Sequence, residues 1–538
     1  MSADNHAIPS ELHRTFGVWS LCAMAIVLPG AWVFAASSMV IGIYGGGPAV
    51  EIWGTLAVGA ALCVFCCNLA EYGSAFPSAA GVTYAAARLG GPKYGRICSY
   101  FTGSFESITV AFIPPVLILV LSELTFTCAC LFHQDYVPKR WQIWLLFQLF
   151  NVIYLFGIKY MTTIIGELNR VGIMVLFTGL IVTIGVMVGM SNGDRPPNAF
   201  LWTSFENGSG YSSPVMGALL GLLGPLYAYG PPHWMLNLAD EVETPKRSIP
   251  IALLVGQIGN ITTLFAFYVA VYYCIDDYNS LLDTTFPSLV GQLYLQGTKS
   301  PIAALFLLLL VIAPSLFGTY GALCRTFVFQ LISANIRLLW GYSRSGSLPY
   351  QHFWMKVDIK HNVPVNVLYV SIAVNFLMSF VYLGSEVGFN IIIDSANFFY
   401  NSGFLPLLAA SLLTRRRYLE AAPKSYFRMS YPLGTCCEVF SFLFNAGCVV
   451  VESFPGSYPV TAENMNYTIV FGAAGILATT LGWIFHGRKH YLIEGLDGVD
   501  EEVEQPTESS YLQRSKKQLT KRNSWIAFYD GWLRDTAW

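Results

Sequence analysis

Two short stretches place proline and glycine in the middle of long apolar runs, where freed backbone groups could bind a small charged molecule. The first is AIVLPGAW at 25–32, about ten residues into the apolar run 17–43. At ~1.5 Å rise per helical residue, Pro29 and Gly30 would lie near the middle of a ~30 Å hydrocarbon core. The second, GP at 224–225 followed by YAYGPP at 227–232, interrupts the sixth apolar run. Secondary transporters hold substrates at such midplane breaks, whereas a simple proline kink would bind nothing.

The breaks predict a substrate site formed by residues on both sides of each interruption. These residues are Val27, Leu28, Pro29, Gly30, Ala31 and Trp32 in the first break, and Tyr227, Ala228, Tyr229 and Gly230 in the second. Two such breaks five helices apart favour a binding role over two unrelated kinks.

Ionisable residues inside the apolar runs are the other candidates for functional residues. Glu106 lies about nine residues from the inner end of the third run, and a carboxylate within a membrane is costly and by default a functional candidate. The alternative is that Glu106 pairs with a neighbouring helix for packing. Asp394 and Arg325 also lie in apolar runs, so Arg325 could pair with either acid. His233 follows the second break and is expected to pack or hydrogen-bond rather than to catalyse.

The composition is that of a polytopic membrane protein. Of 538 residues, 54% are hydrophobic and only 12% are charged, against about 25% charged residues in soluble proteins. The net charge of −2 does not indicate nucleic-acid binding. The sequence lacks metal-ligand spacing among its cysteines, a nucleophile elbow and a phosphate-binding loop. It therefore predicts neither an enzyme nor a cofactor or metal site.

Twelve apolar runs must position the breaks, and each exceeds or approaches the ~20 residues that a span requires. They lie at about 17–43, 50–72, 97–131, 140–158, 169–190, 213–237, 249–274, 301–340, 364–384, 388–413, 434–454 and 467–486. We therefore predict an all-α integral membrane protein with twelve transmembrane helices. Residues 1–14 form a cytosolic segment, 15–491 the transporter domain, and 492–538 a polar, disordered cytosolic tail.

The distribution of Lys and Arg predicts that both termini are cytosolic. Only Lys139, Arg140, Arg195 and Lys299 fall in outer loops, whereas nineteen basic residues fall in inner loops. Because basic loops stay on the cytoplasmic side, the NGS sequence at Asn207 lies outside and is a possible glycosylation site.

Charged residues at the inner helix ends are candidates for a gate or latch. Asp240 and Glu241 follow helix 6, and Arg344 follows helix 8. The alternative for the acids is a solvated loop. The run 301–340 exceeds one span, so residues 325–333 are either an insertion or evidence for a short outer helix before helix 8.

Four motifs together resemble one transporter family. They are NLADEV at 237–242, WGYSRSGSLP at 340–349, YPVTAENMNY at 458–467 and HGRKHY at 486–491. With this spacing, the chain resembles the fungal amino-acid/choline permeases, a branch of the amino acid–polyamine–organocation superfamily that includes GABA and choline transporters. The resemblance covers about residues 10–491.

The resemblance implies a five-plus-five inverted repeat, in which helices 1–5 and 6–10 correspond and helices 11 and 12 are appended. The broken helices 1 and 6 are then symmetry partners. A substrate carboxylate would meet the N–H groups of the first break, and its ammonium would face the second.

Three departures from the family matter. A glycine-poor first break and a missing lysine in helix 5 leave the substrate and the coupling ion open, and the helix 8 stretch is about nine residues longer than the family spacing. The first break is less rich in glycine than in many relatives, so fewer N–H groups are free for a carboxylate. Aromatic residues around both breaks, with Glu106 as counter-charge, would suit choline. Helix 5 lacks the lysine that some proton-coupled relatives use.

The leading hypothesis is a secondary active transporter working by alternating access, with an amino acid, GABA or choline as substrate and a proton as coupling ion. The alternatives are a dedicated choline transporter and a non-transporting nutrient sensor with the same fold. The lipid bilayer is the surrounding partner, and the resemblance implies the plasma membrane.

Overall fold

The computed structural model describes residues 17–491, with gaps. The gaps are 28, 79, 134, 161–164, 192–195, 283, 317–335, 337, 344, 359–362, 385, 423–424 and 462–463. The predicted N-terminal segment and tail, and residues 325–333, for which an insertion and a short outer helix are the alternatives, therefore lie outside the described residues.

The described residues are almost entirely helical. In chain order, the α-helices are α1 Val18–Val27, α2 Ala31–Ala75, α3 Gly81–Cys130, α4 Arg140–Tyr160, α5 Ile165–Met190, α6 Asn198–Thr203, α7 Pro214–Gly221, α8 Leu223–Tyr229, α9 Pro245–Tyr272, α10 Tyr278–Leu282, α11 Leu289–Thr298, α12 Pro301–Leu316, α13 Gln351–Trp354, α14 Val365–Gly384, α15 Glu386–Leu413, α16 Arg417–Glu420, α17 Tyr431–Val451, α18 Thr468–Gly482 and α19 Arg488–His490. A 3₁₀ helix spans Pro232–Glu241, and a π-helical turn spans Trp483–Gly487. Within the described ranges, β-structure is limited to one antiparallel pair, β1 Val357–Asp358 and β2 Val363–Pro364, with Val357 opposite Pro364.

Seven helical segments in the described part of the chain are long and apolar enough to cross a membrane. They are Val18–Ala35, Ser38–Ala75, Gly81–Cys130, Pro245–Tyr272, Val365–Gly384, Tyr431–Val451 and Thr468–His490. Shorter apolar helices cover Leu176–Met190 and Pro301–Ile312. The multi-pass character is thus confirmed, and the full count of twelve stays a prediction.

The boundary between the first two apolar runs, 17–43 and 50–72, lies within α2. The φ angle of Gly46 is 176° and that of Gly47 is 73°, so the helix is interrupted there and resumes around Pro48. A positive φ favours glycine, which has no Cβ to clash with the backbone. The interruption divides α2 into two helical segments.

Proline also marks where several helices begin. Pro214, Pro232 and Pro245 lie in the first turns of α7, the 3₁₀ helix and α9. Proline is tolerated there because the first N–H groups of a helix have no intrahelical acceptor.

The packing brings both predicted breaks into the middle of the helical bundle. The helix α2 packs against α8 and α9, α1 packs against α9, and α3 packs against α15. One large apolar cluster runs through these helices, with Trp32, Phe65 and Phe267 among its buried members. The breaks are therefore held between packed helices.

Candidate functional site

The first break is a short interruption between α1 and α2. The helix α1 ends at Val27, Pro29 forms a turn, and Gly30 adopts the left-handed conformation (φ 50°, ψ 46°) before α2 begins at Ala31. Pro29 lacks an N–H, so the carbonyl of Ala25 loses its usual partner four residues on. The Asn260 side chain of α9 donates a hydrogen bond to this carbonyl at 3.2 Å. The break is thus stabilised by a side chain from another helix.

Most backbone groups at Gly30 are already hydrogen-bonded. Its N–H donates to the carbonyl of Ile26 at 3.2 Å, and its own carbonyl accepts from the N–H groups of Val33 and Phe34. The N–H groups left at the start of α2 are those of Ala31 and Trp32, which no intrahelical carbonyl can reach. This break therefore offers few donors to a substrate carboxylate, as its glycine-poor sequence predicts.

The second break separates α8 from the 3₁₀ helix. Gly230 has φ 60° and ψ −176°, Pro231 is extended, and the 3₁₀ helix begins at Pro232. An α-helix cannot continue through Pro231 and Pro232, because neither residue supplies an N–H.

The two breaks touch each other. A Cβ placed on Gly230 would lie 3.3 Å from the Cα of Pro29 and 3.4 Å from its Cβ. Gly230 therefore has little space for a side chain, in addition to a backbone conformation that favours glycine. The pairing of the breaks, which hydropathy alone only suggests, is a direct contact in the structure.

Two cavities flank this contact. The larger has about 410 Å³ of empty space, counted with its open side, and the smaller about 250 Å³. The larger is lined by Leu62, Ile113, Leu226, Tyr227, Gly230, Pro231, Ala396, Asn397, Tyr400 and Asn401. The smaller is lined by Ala25, Pro29, Pro231, Pro232, Met235, Leu253, Gln257 and Asn260. Residues of α15 thus complete a wall that the sequence did not predict.

Glu106 and His233 form a buried pair beside the second break. The side chains are 1% and 0% exposed, and His233 Nε2 lies 3.0 Å from Glu106 Oε2. Among the described residues, Glu106 Oε1 and His233 Nδ1 have no hydrogen-bond partner. The predicted hydrogen-bonding role of His233 is confirmed, and the pair links α3 to the 3₁₀ helix.

The pair lies next to the larger cavity. The His233 ring packs against the rings of Tyr400 and Phe404, with centroids 5.5 Å and 5.1 Å away. Tyr400 lines the cavity, and its hydroxyl has no partner in the described part of the chain. A change in the charge of Glu106 would therefore alter the electrostatic potential at the cavity wall, because only one layer of aromatic rings lies between them.

Two acids, Asp394 and Glu452, lie behind another part of the cavity wall. The Tyr227 hydroxyl donates to Asp394 Oδ1 at 3.1 Å, and the Asn401 amide donates to Glu452 Oε1 at 2.8 Å. Asn466 donates to Asp394 Oδ2 at 3.3 Å and to the Glu452 carbonyl at 2.9 Å. Two residues that line the cavity are thus each bonded to a carboxylate.

Four buried acids in the described part of the chain escaped the sequence analysis: Glu51, Glu452, and the two that bind Arg416, Glu71 and Glu438. Glu51 is fully buried and accepts a hydrogen bond from the Tyr272 hydroxyl, next to Gly42 and Gly224. Glu452 directly follows α17 and is 1% exposed. Glu51 and Glu452 both follow a helix boundary, where an acid usually indicates a solvated loop, so the sequence carried no local signal of their burial.

Several predicted site residues pack into the core and line neither cavity. Trp32 is fully buried against Phe267, with ring centroids 5.8 Å apart. Tyr229 is 1% exposed and donates its hydroxyl to the Thr55 carbonyl at 2.6 Å. Because helical residues are about 100° apart, Tyr227 and Tyr229 point in different directions. Val27, Ala31 and Ala228 are also buried, and Leu28 lies outside the described residues.

The predicted gate residues are not among the described side chains. Asp240 and Glu241 belong to the 3₁₀ helix, but their side chains, like Arg344 and Arg325, lie outside the described part. The gate and the proposed pairs of Arg325 stay predictions. Asn207, the possible glycosylation site, is exposed, and its Oδ1 accepts from the Ser209 hydroxyl at 2.6 Å.

A buried ion network joins the ends of α2, α15 and α17. Arg416, 1% exposed, donates to Glu71 at 2.7 Å and to Glu438 at 2.6 Å. Tyr72 and Ser411 also donate to Glu438, each at 2.8 Å. Burial alone would lower the pKa of Arg416, but its hydrogen bond to Glu71 and the charge of Glu438 outweigh it and raise the pKa.

Comparisons with known proteins give a consistent result. A family model described as "Amino acid permease" matches residues 16–475. The chain is 27% identical over 485 residues to a choline transporter of Saccharomyces cerevisiae, covering 89% of this chain and 83% of that protein. It is 24% identical to amino-acid permease BAT1 of Arabidopsis thaliana, with 89% and 92% covered. It is 23% identical to polyamine transporter TPO5 of S. cerevisiae, with 92% and 79% covered.

Proposed function

Because the chain belongs to the amino acid permease family, we propose that it is a secondary active transporter whose cycle is organised around the contact between its two helix breaks. It is an integral multi-pass membrane protein that transports amino acids or choline, rather than an enzyme. The more specific parts of the proposal concern which substrate is carried, which ion is coupled and how the helices are arranged.

The observation that carries this proposal is the close approach of Gly230 to Pro29, with a cavity on each side. Paired broken helices at a repeat interface are the usual midplane binding site of secondary transporters. We therefore infer twelve spans, with helices 1–5 and 6–10 as inverted repeats. Alternating access would then open the larger cavity to each side in turn.

Choline is the substrate that the larger cavity favours. Among the described residues, its lining includes Tyr227 and Tyr400 but no lysine or arginine that would neutralise a carboxylate. The Asn397 and Asn401 amides already donate to backbone carbonyls. Aromatic faces attract a quaternary ammonium by roughly 0.5–2 kcal/mol each, and Glu106 supplies a counter-charge nearby. The similarity to a yeast choline transporter agrees with this choice.

An amino acid or GABA is the second candidate. The N–H groups of Ala31 and Trp32 lie at the positive end of a helix, where a carboxylate is stabilised. The similarity to a plant amino-acid permease is consistent with such a substrate. Both candidates carry a cationic nitrogen, so the Glu106 region would serve either.

The remaining proposals concern the orientation of the protein in the membrane, the ion that drives transport, the inner gate and glycosylation. Basic residues in the predicted inner loops favour cytosolic termini, and the plasma membrane fits an uptake role. A proton is the proposed coupling ion, because several acids lie near the cavities. Asp240, Glu241 and Arg344 stay candidates for an inner gate, and Asn207 for glycosylation.

The decisive test is uptake of labelled choline, GABA and neutral amino acids in a host that lacks these transport activities. The assay is run at two pH values, with and without sodium. We expect choline uptake that rises at acidic external pH and does not need sodium. Stronger uptake of GABA or an amino acid would select the second candidate. Normal surface abundance without uptake of any of the compounds would contradict the substrate proposal and favour a sensor.

A further inference from the structure

Asp394 and Glu452 belong to different parts of the chain, and Asn466 donates to both residues, to the carboxylate of Asp394 and to the backbone carbonyl of Glu452. Asp394 is on α15 and is partly exposed, whereas Glu452 follows α17 and is 1% exposed. The two acids are close enough for their negative charges to oppose each other.

No basic side chain pairs with either acid in the described part of the chain. Their partners there are the Tyr227 hydroxyl and the amides of Asn401 and Asn466. One unpaired carboxylate is already costly within a membrane, and repulsion between two carboxylates makes it costlier for both to stay ionised. Because no side chain in the described part of the chain supplies the counter-ion, a bound cation, of which the proton is the smallest, would reduce the charge there.

A place for that proton is open on Glu452. Its Oε1 accepts from Asn401, but its Oε2 is buried and has no hydrogen-bond partner among the described residues. A buried carboxylate oxygen without a donor is unfavourable. Protonation of this oxygen removes the negative charge, which is the costlier part of burying an unpartnered carboxylate.

The other titratable groups near the two acids are uncharged at physiological pH. They are Tyr227 on α8, Tyr400 on α15 and Cys448 on α17. Phenols and thiols of these types are neutral near pH 7. The acids are therefore the groups in this cluster that can exchange a proton under physiological conditions.

The pair is connected directly to the substrate cavity. Tyr227 and Asn401 both line the larger cavity, and each donates a hydrogen bond to one of the acids. Tyr227 is also three residues from Gly230 in the second break. An ionised carboxylate accepts a stronger hydrogen bond than a protonated one. Binding a proton therefore weakens the hydrogen bond that the acid accepts from Tyr227 or Asn401.

We propose that Asp394 and Glu452 form the binding site of the coupling proton, an inference that rests on the proposed function as a proton-coupled transporter. A proton from the outer solution forms an O–H bond with one carboxylate, which leaves one negative charge on the pair. The weakened bond to Tyr227 or Asn401 lets the wall close on the substrate. The O–H bond breaks when the cavity faces the cytosol, and the proton leaves to water there. The predicted orientation agrees, because Asp394 lies eight residues, or roughly 12 Å, from the outer end of α15.

The test uses the full chain in proteoliposomes, with labelled choline as the probe and the membrane potential clamped at zero. Two activities are measured: accumulation driven by a pH gradient of one unit, and choline counterflow without a gradient. With one proton per choline, a tenfold proton gradient supports about tenfold accumulation. A pH-sensitive dye inside the vesicles reports choline-coupled proton entry.

We expect Asp394→Asn and Glu452→Gln to keep counterflow, which shows that they fold and bind, while accumulation falls from about tenfold to about onefold. Choline-coupled proton entry should also be lost. Ser395→Ala is the matched control, because Ser395 is buried on α15 next to Asp394 and lacks a hydrogen bond among the described residues. It should keep both activities.

The outcomes separate this inference from the proposed function. Proton-driven accumulation that persists in both acid variants would show that the coupling site lies elsewhere. Loss of counterflow along with accumulation, in variants of normal abundance, would assign the acids to structure and overturn the proposal. A wild-type protein that exchanges choline without responding to the pH gradient would instead refute proton coupling itself.

Discussion

Replacing Gly230 tests whether the contact between the two breaks is needed for transport. Its backbone (φ 60°, ψ −176°) lies in a region that is essentially restricted to glycine. An alanine Cβ would also lie 3.3 Å from the Cα of Pro29, a backbone atom that cannot rotate away as the end of a flexible side chain can. Gly230→Ala therefore strains the break without removing any polar group, and Gly230→Leu adds a larger clash.

The expected effect follows from the backbone strain. A residue forced into this region costs on the order of 1–3 kcal/mol, and a penalty of that size on one conformer reduces its population by about 5- to 150-fold. Because every cycle passes through the arrangement in which the breaks meet, choline uptake should fall by a factor in this range. Gly230→Leu should abolish uptake.

Gly30 provides an internal comparison. Its conformation (φ 50°, ψ 46°) is left-handed helical, which costs alanine roughly 1–2 kcal/mol but is tolerated by asparagine. Gly30→Asn should therefore retain more uptake than Gly30→Ala, whereas Gly230→Asn should not be rescued. Gly30→Leu should abolish uptake.

The assay is initial-rate choline uptake in a transport-deficient host, divided by surface abundance from biotinylation. Gly447→Ala is the matched control, since Gly447 lies within α17 and a Cβ there would meet no atom within 4 Å. Its uptake should equal that of the wild type. A Gly230→Ala protein with unchanged KM and maximal rate at normal abundance would refute the role of the contact.

Three further predictions concern the charged residues and the outer loop. Glu106→Gln should raise the KM for a cationic substrate, because the counter-charge next to the larger cavity is lost; unchanged KM and maximal rate would assign Glu106 to packing. Arg416→Met should destabilise the protein by roughly 3–5 kcal/mol, since it leaves two buried carboxylates without their cation; thermal unfolding in detergent measures this. The control Arg428→Met should change stability little, because its ion pair with Glu420 is partly exposed and 3.9 Å long, and an equal loss in both variants would argue against a special role for the buried network. Asn207→Gln should abolish a glycosidase-sensitive mobility shift of the protein from a eukaryotic host, and a shift that persists would place the glycan elsewhere.

The helix breaks could be predicted because their causes are local. Pro29 and Pro231 each remove a backbone N–H, and Gly30 and Gly230 reach positive φ angles without a Cβ clash. The turn within α2 at Gly47 has the same origin. No long-range contact is needed to interrupt a helix at these positions, so a single sequence suffices to locate them.

The acids and the cavity wall could not be predicted because their partners are distant in sequence. Glu51 pairs with Tyr272, 221 residues away, and Glu438 meets Glu71 through Arg416. The sequence around Arg416 is that of an ordinary basic inner loop, yet the residue is only 1% exposed to solvent. Burial of such residues is decided by how the helices pack, which the local pattern of charges does not encode.

The same packing changes the interpretation of α17, which the family resemblance treats as appended to the repeat. Near one end, Glu438 accepts a hydrogen bond from Ser411 of α15, and at the other, Glu452 accepts one from Asn401 of α15. Glu438 is a buried carboxylate paired with Arg416, so breaking its bond from Ser411 during the cycle would leave a charged group with fewer donors in a low-dielectric interior. The helices α15 and α17 should therefore move together. Because Asn401 also lines the larger cavity, α17 contributes to the wall against which the second break closes.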